Sequence, residues 1–155
     1  MYDWELTARE QIRDLVARYN ASGDSGRFDE VMALFWEDAE METGGPDGPV
    51  VKRGIDEIRT IFTGAAERWR PEGRGEHRAT APHYVRHSVS TLVIDVDDEA
   101  HARGYCYFSV VMPHGLDHWG RYFDRYEARD GVWKFARRRV TAEGHVGDVP
   151  VPDER

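Results

Sequence analysis

The hydrophobic pattern of this sequence changes its period partway along the chain, and that change limits the folds available to it. Before residue 63, apolar residues recur every three or four positions, as in the stretch 12–19. That spacing builds one apolar stripe on an α-helix. Later in the chain apolar and polar residues alternate, as in the stretch 92–96, which is the period of a strand. The sequence therefore predicts helices first and a curled antiparallel sheet second, in one α+β domain.

Three helices are predicted in the first part of the chain. Thr7 and Glu10 have the spacing of a capping box, so the first helix is expected to begin at Thr7. A second, short helix is expected next, and Phe35 is the last residue of its buried side. A third helix is expected after Gly54. Two segments rich in Gly, Pro or polar residues are predicted loops: 44–49 and 68–82.

The second part of the chain is predicted to form strands. A first long strand begins near His87, and three more are expected at 102–112, 118–128 and 132–141. The last two are joined by Asp130-Gly131, a strong hairpin signal. We therefore expect a single domain over residues 1–143 and a mobile tail over residues 144–155.

Composition excludes several classes of protein. The chain has 21 Lys and Arg against 29 Asp and Glu, a net charge of -8, whereas a nucleic-acid module needs a basic face. No apolar run approaches the roughly 20 residues that span a bilayer, and the first residues lack a signal-peptide pattern. The single cysteine, Cys106, excludes an internal disulfide. These features predict a cytoplasmic protein that binds neither nucleic acid nor membrane.

Asp24 and His87 are the first candidates for chemistry. Asp24 follows the first helix in a Gly-flanked turn, where it either caps the second helix or points back at the sheet. His87, at the start of a strand, is either a satisfied structural residue or a base. A His–Asp pair suits proton abstraction near neutral pH, because the carboxylate fixes the tautomer of the ring. That function requires the fold to bring the two residues together.

Two His-x3-His spacings, His83/His87 and His114/His118, are candidate metal ligands. In an extended strand the first pair is about 13 Å apart, at ~3.3 Å per residue. Two ligands of one zinc, each about 2 Å from the metal, cannot lie so far apart. The second pair crosses a turn whose geometry the sequence leaves open. We expect neither a metal site nor a cofactor.

The two-residue period sorts the strand residues into faces. Three sets each share a face: Cys106, Phe108 and Val110; His118, Tyr122 and Asp124; Lys134, Ala136, Arg138 and Val140, which lie opposite Trp133 and Phe135. Which face looks inward stays open, because one β-bulge reverses it. Arg138 lies either on a solvated surface or, inside, beside an anion or a carboxylate.

Four segments of the chain resemble the SnoaL-like branch of the NTF2-like superfamily. They read IRDLVARYNASGD, FDEVMALFWEDAEM, RHSVSTLVIDVDDEAHARGY and GRYFDRYEARDGVWKFARRRV, and together they span about residues 5–142. The resemblance implies a cystatin-like cone, in which N-terminal helices pack into a curled mixed or antiparallel sheet.

Within that branch the chain is similar to scytalone dehydratase, lindane dehydrochlorinase and bile-acid 7α-dehydratase. The Asp–His dyad of those enzymes falls on Asp24 and His87, and the dehydratases' tyrosine falls on Tyr19. The dehydrochlorinase's pocket arginine falls on Arg138, and His118 matches a pocket-lining position that suits a second histidine. The lysine of the dehydrochlorinase also falls on Tyr19, which argues against halide elimination.

The resemblance implies a cofactor-independent lyase for a hydrophobic cyclic small molecule. His87 and Asp24 would abstract a proton, with Tyr19, His118 and Arg138 as helpers. The apolar substrate wall is expected from Trp36, Met41, Phe62, Cys106, Phe108, Tyr122 and Val140. The alternatives are an isomerase or cyclase, a noncatalytic binding protein and the small subunit of an oxygenase. A homo-oligomer, trimer or dimer, is expected because an open sheet with outward aromatic residues needs cover.

Overall fold

The part of the chain that the structure describes contains three helices and six strands. A computed structural model describes residues 2–45, 47–68 and 84–146. The helices are α1 (Asp3–Asp24), α2 (Phe28–Ala33) and α3 (Gly54–Arg68). The strands are β1 (Phe35–Gly45), β2 (Gly48–Arg53), β3 (Arg86–Val96), β4 (His101–Met112), β5 (Gly115–Arg129) and β6 (Val132–His145).

Helix α1 begins one turn earlier than its sequence predicts. Its first residue is Asp3, and the hydroxyl of Thr7 donates to the backbone carbonyl of Asp3 inside the helix. The capping-box prediction is therefore wrong. Asp3 and Glu5 place negative charge in the first turn, where it interacts favourably with the helix dipole. The predicted apolar stripe is confirmed: its members are buried against the sheet, at Ile12, Leu15, Val16 and Tyr19.

Strands β1 and β2 are the main departure from the predicted architecture. Phe35 opens β1 instead of closing the second helix, and the predicted loop 44–49 is the tip of a β1–β2 hairpin. Gly45 pairs with Gly48 at that tip. Gly48 has a φ of 118°, a conformation that residues with a Cβ rarely adopt.

The six strands form one mixed sheet in the order β2-β1-β6-β5-β4-β3. Strands β1 and β6 pair in parallel, and all other neighbours pair antiparallel. The sheet packs around α1, and a single hydrophobic core fills the space between them. The α+β prediction is confirmed. Within the described ranges, no helix combines the length and hydropathy that a bilayer span requires.

A β-bulge in β6 decides which residues face the core. Tyr126 pairs with Phe135, but Arg125 pairs with Arg137, so Ala136 is an extra residue. The bulge puts the side chains of Phe135 and Arg138, predicted on opposite faces, on the same inner face.

Strand β6 extends slightly beyond the predicted domain boundary. It includes Gly144 and His145, the first two residues of the predicted tail. The backbone N–H of Val146 donates to the carbonyl of Asp117, 2.8 Å away. Residues 147–155, and all but the first residue of the predicted loop 68–82, lie outside the described residues.

Candidate active site

Asp24 and His87 meet where the end of α1 crosses the start of β3. Oδ1 of Asp24 lies 2.6 Å from Nδ1 of His87, and Oδ2 accepts the backbone N–H of His87 at 2.8 Å. The N-terminus of α2 has Arg27 at its cap position and no side-chain cap, so Asp24 does not cap that helix. The Asp24 side chain is 8% exposed and that of His87 is 28% exposed. A buried carboxylate thus orients a ring that remains accessible.

The contact with Asp24 selects one tautomer of His87. An ionised carboxylate only accepts hydrogen bonds, so the neutral ring carries its proton on Nδ1. Its Nε2 then has a lone pair available to a ligand. Among the described residues, none hydrogen-bonds to this Nε2.

A second histidine lies across from the first. The ring centroids of His87 and His118 are 6.4 Å apart and their planes are almost perpendicular. Nδ1 of His118 lies 2.7 Å from Oδ2 of Asp117, and Nε2 of His114 lies 2.9 Å from Oδ1 of the same carboxylate. The hydrogen bond with His118 lowers the pKa of Asp117, and the two nearby imidazoles add to the effect.

An aromatic wall lies directly behind the two imidazoles. The ring of Phe108 is 6.4 Å from that of His87 and 6.2 Å from that of His118. It stacks on Tyr122 at 4.6 Å, and the Tyr122 hydroxyl donates to Oδ1 of Asn20 at 3.5 Å. Burial raises the pKa of Tyr122 well above its ordinary value, so the phenol stays protonated.

Tyr19 occupies the centre of the aromatic cluster. Its ring contacts those of Phe35, Phe62, Tyr122 and Phe135, all in edge geometry. Burial raises its pKa, while the nearby guanidinium of Arg138 partly opposes that effect. Tyr19 is therefore both a core residue and a protonated hydrogen-bond donor near the end of α1.

Arg138 is fully buried and paired with a carboxylate. Its Nε and Nη2 each donate to one oxygen of Asp124 at 2.8 Å, and Tyr126 donates its hydroxyl to the same carboxylate at 2.8 Å. The guanidinium carbon lies 4.0–4.3 Å from three ring centroids, those of Tyr19, Tyr122 and Phe135. Burial disfavours its charge, but Asp124 outweighs burial and raises the pKa of Arg138.

This pairing bears on the expected role of Arg138 as a helper in the pocket. Neither side chain of the Arg138–Asp124 pair has any exposed surface. Nε and Nη2 of Arg138 both donate to Asp124, so Arg138 lies inside the fold beside a carboxylate, which is one of the two environments expected from the sequence. Nη1 of Arg138 is the one buried side-chain polar atom without a hydrogen-bond partner in the described part of the chain.

The predicted substrate wall divides between two places. Phe108 and Tyr122 lie beside the histidines, Cys106 and Val140 flank Tyr122 in the sheet, and Phe62 contacts Tyr19. Burial raises the pKa of the Cys106 thiol to about 11, so it is not a thiolate near neutral pH. Met41, on β1, is buried in the core and pairs with Arg138 on β6.

Trp36 lies away from this wall, which corrects its predicted place. Its indole N–H donates to the carbonyl of Glu127 at 3.0 Å, and Arg129 and Lys134 cover its ring. On β5, Glu127 lies about 30 Å of strand from His118. Trp36 therefore belongs to the far end of the sheet.

Two further sequence expectations concern metals. No three His, Cys, Asp or Glu side chains converge on a metal position in the ranges that the structure describes. His83, one member of the first His-x3-His pair, lies outside those ranges. The second pair shares Asp117 instead of an ion.

Three polar residues of this region are not among the site residues that the sequence predicts. Asp117 holds two histidines, Asp124 neutralises Arg138, and Asn20 accepts from Tyr122. Asp124 shares its strand face with His118 and Tyr122, which was a usable signal. Asn20 lies four residues before Asp24 on α1, so the two share one helix face.

The fold is shared with several solved structures. A proposed scytalone dehydratase from Novosphingobium aromaticivorans is 23% identical with a TM-score of 0.72. The match covers 97% of this chain and 93% of that structure's chain. The hexachlorocyclohexane dehydrochlorinase LinA-type3 from Novosphingobium barchaimii LL02 is 20% identical with a TM-score of 0.69, covering 96% and 97%. The β subunit of a proposed aromatic-ring-hydroxylating dioxygenase from N. aromaticivorans is 16% identical with a TM-score of 0.68, covering 90% and 92%.

These likenesses, with others to cystatin-like and NTF2-like structures, confirm the predicted cone. No curated protein sequence matches the chain at a significant level. The family profile described as SnoaL-like domain matches residues 4–139, which is most of the sequence. The chain therefore belongs to the SnoaL-like domain family.

Proposed function

We propose that the chain is a lyase of the dehydratase type that acts on a hydrophobic cyclic small molecule. Its general base is His87, oriented by Asp24. The observation that carries this proposal is the double contact of the Asp24 carboxylate, 2.6 Å to Nδ1 and 2.8 Å to the backbone N of His87. This contact fixes both the direction and the tautomer of the ring, which a general base requires.

The reaction begins with a proton on a carbon next to a carbonyl. Nε2 of His87 takes that proton, and the electron pair of the broken C–H bond forms the new C=C bond. The hydroxyl on the adjacent carbon departs with the electrons of its C–O bond, takes the Nε2 proton of the His118 imidazolium and leaves as water. The charge gained by His87 is stabilised by the carboxylate of Asp24, as in other His–Asp arrangements.

A buried phenol supplies the remaining polar contact. Burial raises the pKa of both Tyr19 and Tyr122, so both stay protonated, and because the Tyr122 hydroxyl already donates to Asn20, Tyr19 is the donor to a developing enolate oxygen. One such preorganised donor contributes about 3 kcal/mol to lowering a barrier. Arg138 supports this region by positive charge and packing against both rings, not by contacting substrate.

Two relatives support an elimination. One is named for scytalone dehydratase activity and the other for hexachlorocyclohexane dehydrochlorinase activity. The apolar substrate class is supported by the rings of Phe108 and Tyr122, which lie behind the histidines. We propose no metal or cofactor in the reaction.

The test compares turnover by the wild type with that by His87→Gln and Asp24→Asn. Aromatic and steroid-like ketols are supplied, and mass spectrometry detects a product lighter by one water. We expect both variants to lose at least about 100-fold in kcat/KM. His101→Gln, at a surface histidine paired with Asp98, is the matched control and keeps full activity. Unchanged turnover in folded His87→Gln and Asp24→Asn contradicts the proposal.

The same measurement separates the alternative functions. An isomerase or cyclase gives a product of unchanged mass, and a noncatalytic binding protein returns its ligand unaltered. The small subunit of an oxygenase copurifies with an iron-bearing partner, a function for which neither Asp24 nor His87 is needed.

Self-association stays a prediction. The outer sheet face exposes a pair of tyrosine rings, Tyr105 and Tyr107, at 36% and 44% of their surface, which supports the expected trimer or dimer. Light scattering coupled to size-exclusion chromatography measures the number of chains directly.

A further inference from the structure

Asp117 and His118 are neighbours on β5, yet their side chains touch. Neighbouring residues of a regular strand point to opposite faces of the sheet. The register explains the exception: Val110 pairs with His118, but Val111 pairs with Leu116, so Asp117 is an extra residue on β5. Such a bulge redirects side chains. Here it brings Oδ2 of Asp117 within 2.7 Å of Nδ1 of His118.

The second carboxylate oxygen of Asp117 is also occupied. Oδ1 lies 2.9 Å from Nε2 of His114, in the turn before β5. Gly115 follows with a φ of 110°, a conformation that allows this turn and that favours glycine. One carboxylate therefore contacts two imidazoles, one through each oxygen. Because the Asp117 side chain is only 23% exposed, these contacts restrict its rotation.

We propose that Asp117 is a positioning residue that fixes His118 as a proton donor, an inference that rests on the function proposed above. The carboxylate accepts the Nδ1–H of His118 in both the neutral ring and the imidazolium, and its charge favours the imidazolium. Nε2 of the imidazolium therefore carries the proton that passes to the leaving hydroxyl, which leaves a neutral ring with its proton on Nδ1, and Nε2 is afterwards reprotonated from solvent. His114 contributes indirectly, because it holds Oδ1 and so keeps Oδ2 turned toward His118.

The geometry makes the two histidines a matched pair. His87 and His118 each contact a carboxylate through Nδ1, and their rings lie 6.4 Å apart. Neither Nε2 has a hydrogen-bond partner in the described residues. Within the described ranges, the charged and titratable groups next to His118 are Asp117, His114, His87 and His145, which pairs with His118 across β5 and β6. A surface pair, His101 with Asp98, has a similar Nδ1 contact but lies in an exposed turn.

The first experiment measures the tautomer of His118 by ¹⁵N NMR of the histidine rings, in the full chain without substrate. In the wild type we expect the Nδ1–H form. Asp117→Ala removes the acceptor and shifts the population toward Nε2–H. Asp117→Asn is a second variant, of the same size as the wild type. Its amide can donate an N–H to Nδ1, so it also shifts the tautomer population of His118 toward Nε2–H.

Two controls separate positioning from general damage to the fold. Asp98→Ala changes the tautomer signal of His101 and leaves that of His118 unchanged. His114→Gln keeps a donor for Oδ1 of Asp117, so His118 retains its wild-type tautomer. His114→Ala removes that donor and weakens the preference of His118 for the Nδ1–H form. If His118 keeps the Nδ1–H form in both Asp117 variants, the proposal is overturned.

Activity gives an independent readout with any ketol that the wild type dehydrates. We expect Asp117→Ala to lower kcat about tenfold or more with little change in KM, and His114→Gln to retain most of kcat. Unchanged kcat together with a shifted tautomer overturns the catalytic part of the inference. If His87→Gln is fully active, the function proposed above fails, while the tautomer result still tests the positioning by Asp117.

Discussion

The cone contains two pairs in which a carboxylate contacts a basic side chain: Arg138 with Asp124, and His87 with Asp24. The two pairs differ in their exposure to solvent. The Arg138–Asp124 pair has no exposed surface, and its carboxylate accepts three hydrogen bonds, two from Arg138 and one from Tyr126. In the pair of Asp24 and His87 the carboxylate is also buried, but more than a quarter of the imidazole is exposed.

The difference separates a pair that holds the sheet together from one that is open to a ligand. The rings of Tyr122 and Phe108 lie between the two pairs, because Arg138 packs on Tyr122 and Phe108 packs on both Tyr122 and His87. Burial and a complete set of partners make the Arg138 pair suitable for stability. An accessible ring nitrogen makes the His87 pair suitable for proton transfer.

The largest effect is expected from Asp124→Asn, which leaves the buried charge of Arg138 without a counterion. We expect the free energy of unfolding in urea to fall by about 3–5 kcal/mol. A double variant, Asp124→Leu with Arg138→Met, removes both charges and recovers most of that loss. A loss below about 1 kcal/mol for Asp124→Asn would contradict the stabilising role of the buried pair, because the pair would then contribute little to stability.

Asp24→Asn is expected to have a smaller effect on stability. The substitution keeps the size of the side chain but weakens two hydrogen bonds to His87, so we expect a loss of about 2 kcal/mol in urea unfolding. Asp98→Asn, at the exposed His101 contact, is the control and changes stability less. A loss as large as that of Asp124→Asn would show that the two pairs do not differ as described.

The sequence predicted the fold class and most elements, but not β1 and β2. Phe35 continues the three- and four-residue spacing of α2, so local pattern assigns it to a helix. The pairing that makes it a strand residue is with Phe135, one hundred positions away, and a register shift between Phe35 and Glu40 disturbs the alternation. A contact so distant in sequence leaves no local signal.

The pairing of Asp24 with His87 in the candidate site was predictable only through the resemblance to known enzymes. The contact between Asp24 and His87 spans 63 positions, and spacing alone left both residues with structural alternatives. The bulges were beyond the sequence, since the two-residue period says nothing about where an extra residue is inserted. One bulge moves Arg138 onto the face of Phe135, and another brings Asp117 beside His118.

The smallest effect on stability is expected from the carboxylate that is most exposed to solvent among the three, Asp117. The hydrogen bond with His118, then the charges of His118 and His114, lower its pKa from the ordinary value of 3.8. A carboxyl whose pKa is lower in the folded state stabilises the protein above its unfolded pKa and loses that contribution as pH falls through the folded value. The difference in unfolding free energy between wild type and Asp117→Asn should therefore be present above the unfolded pKa of the carboxyl and shrink below about pH 4. Urea unfolding at a series of pH values measures it. A difference that persists undiminished in acid would mean that Asp117 acts through packing and not through its charge, which would remove it from the comparison with Asp24 and Asp124.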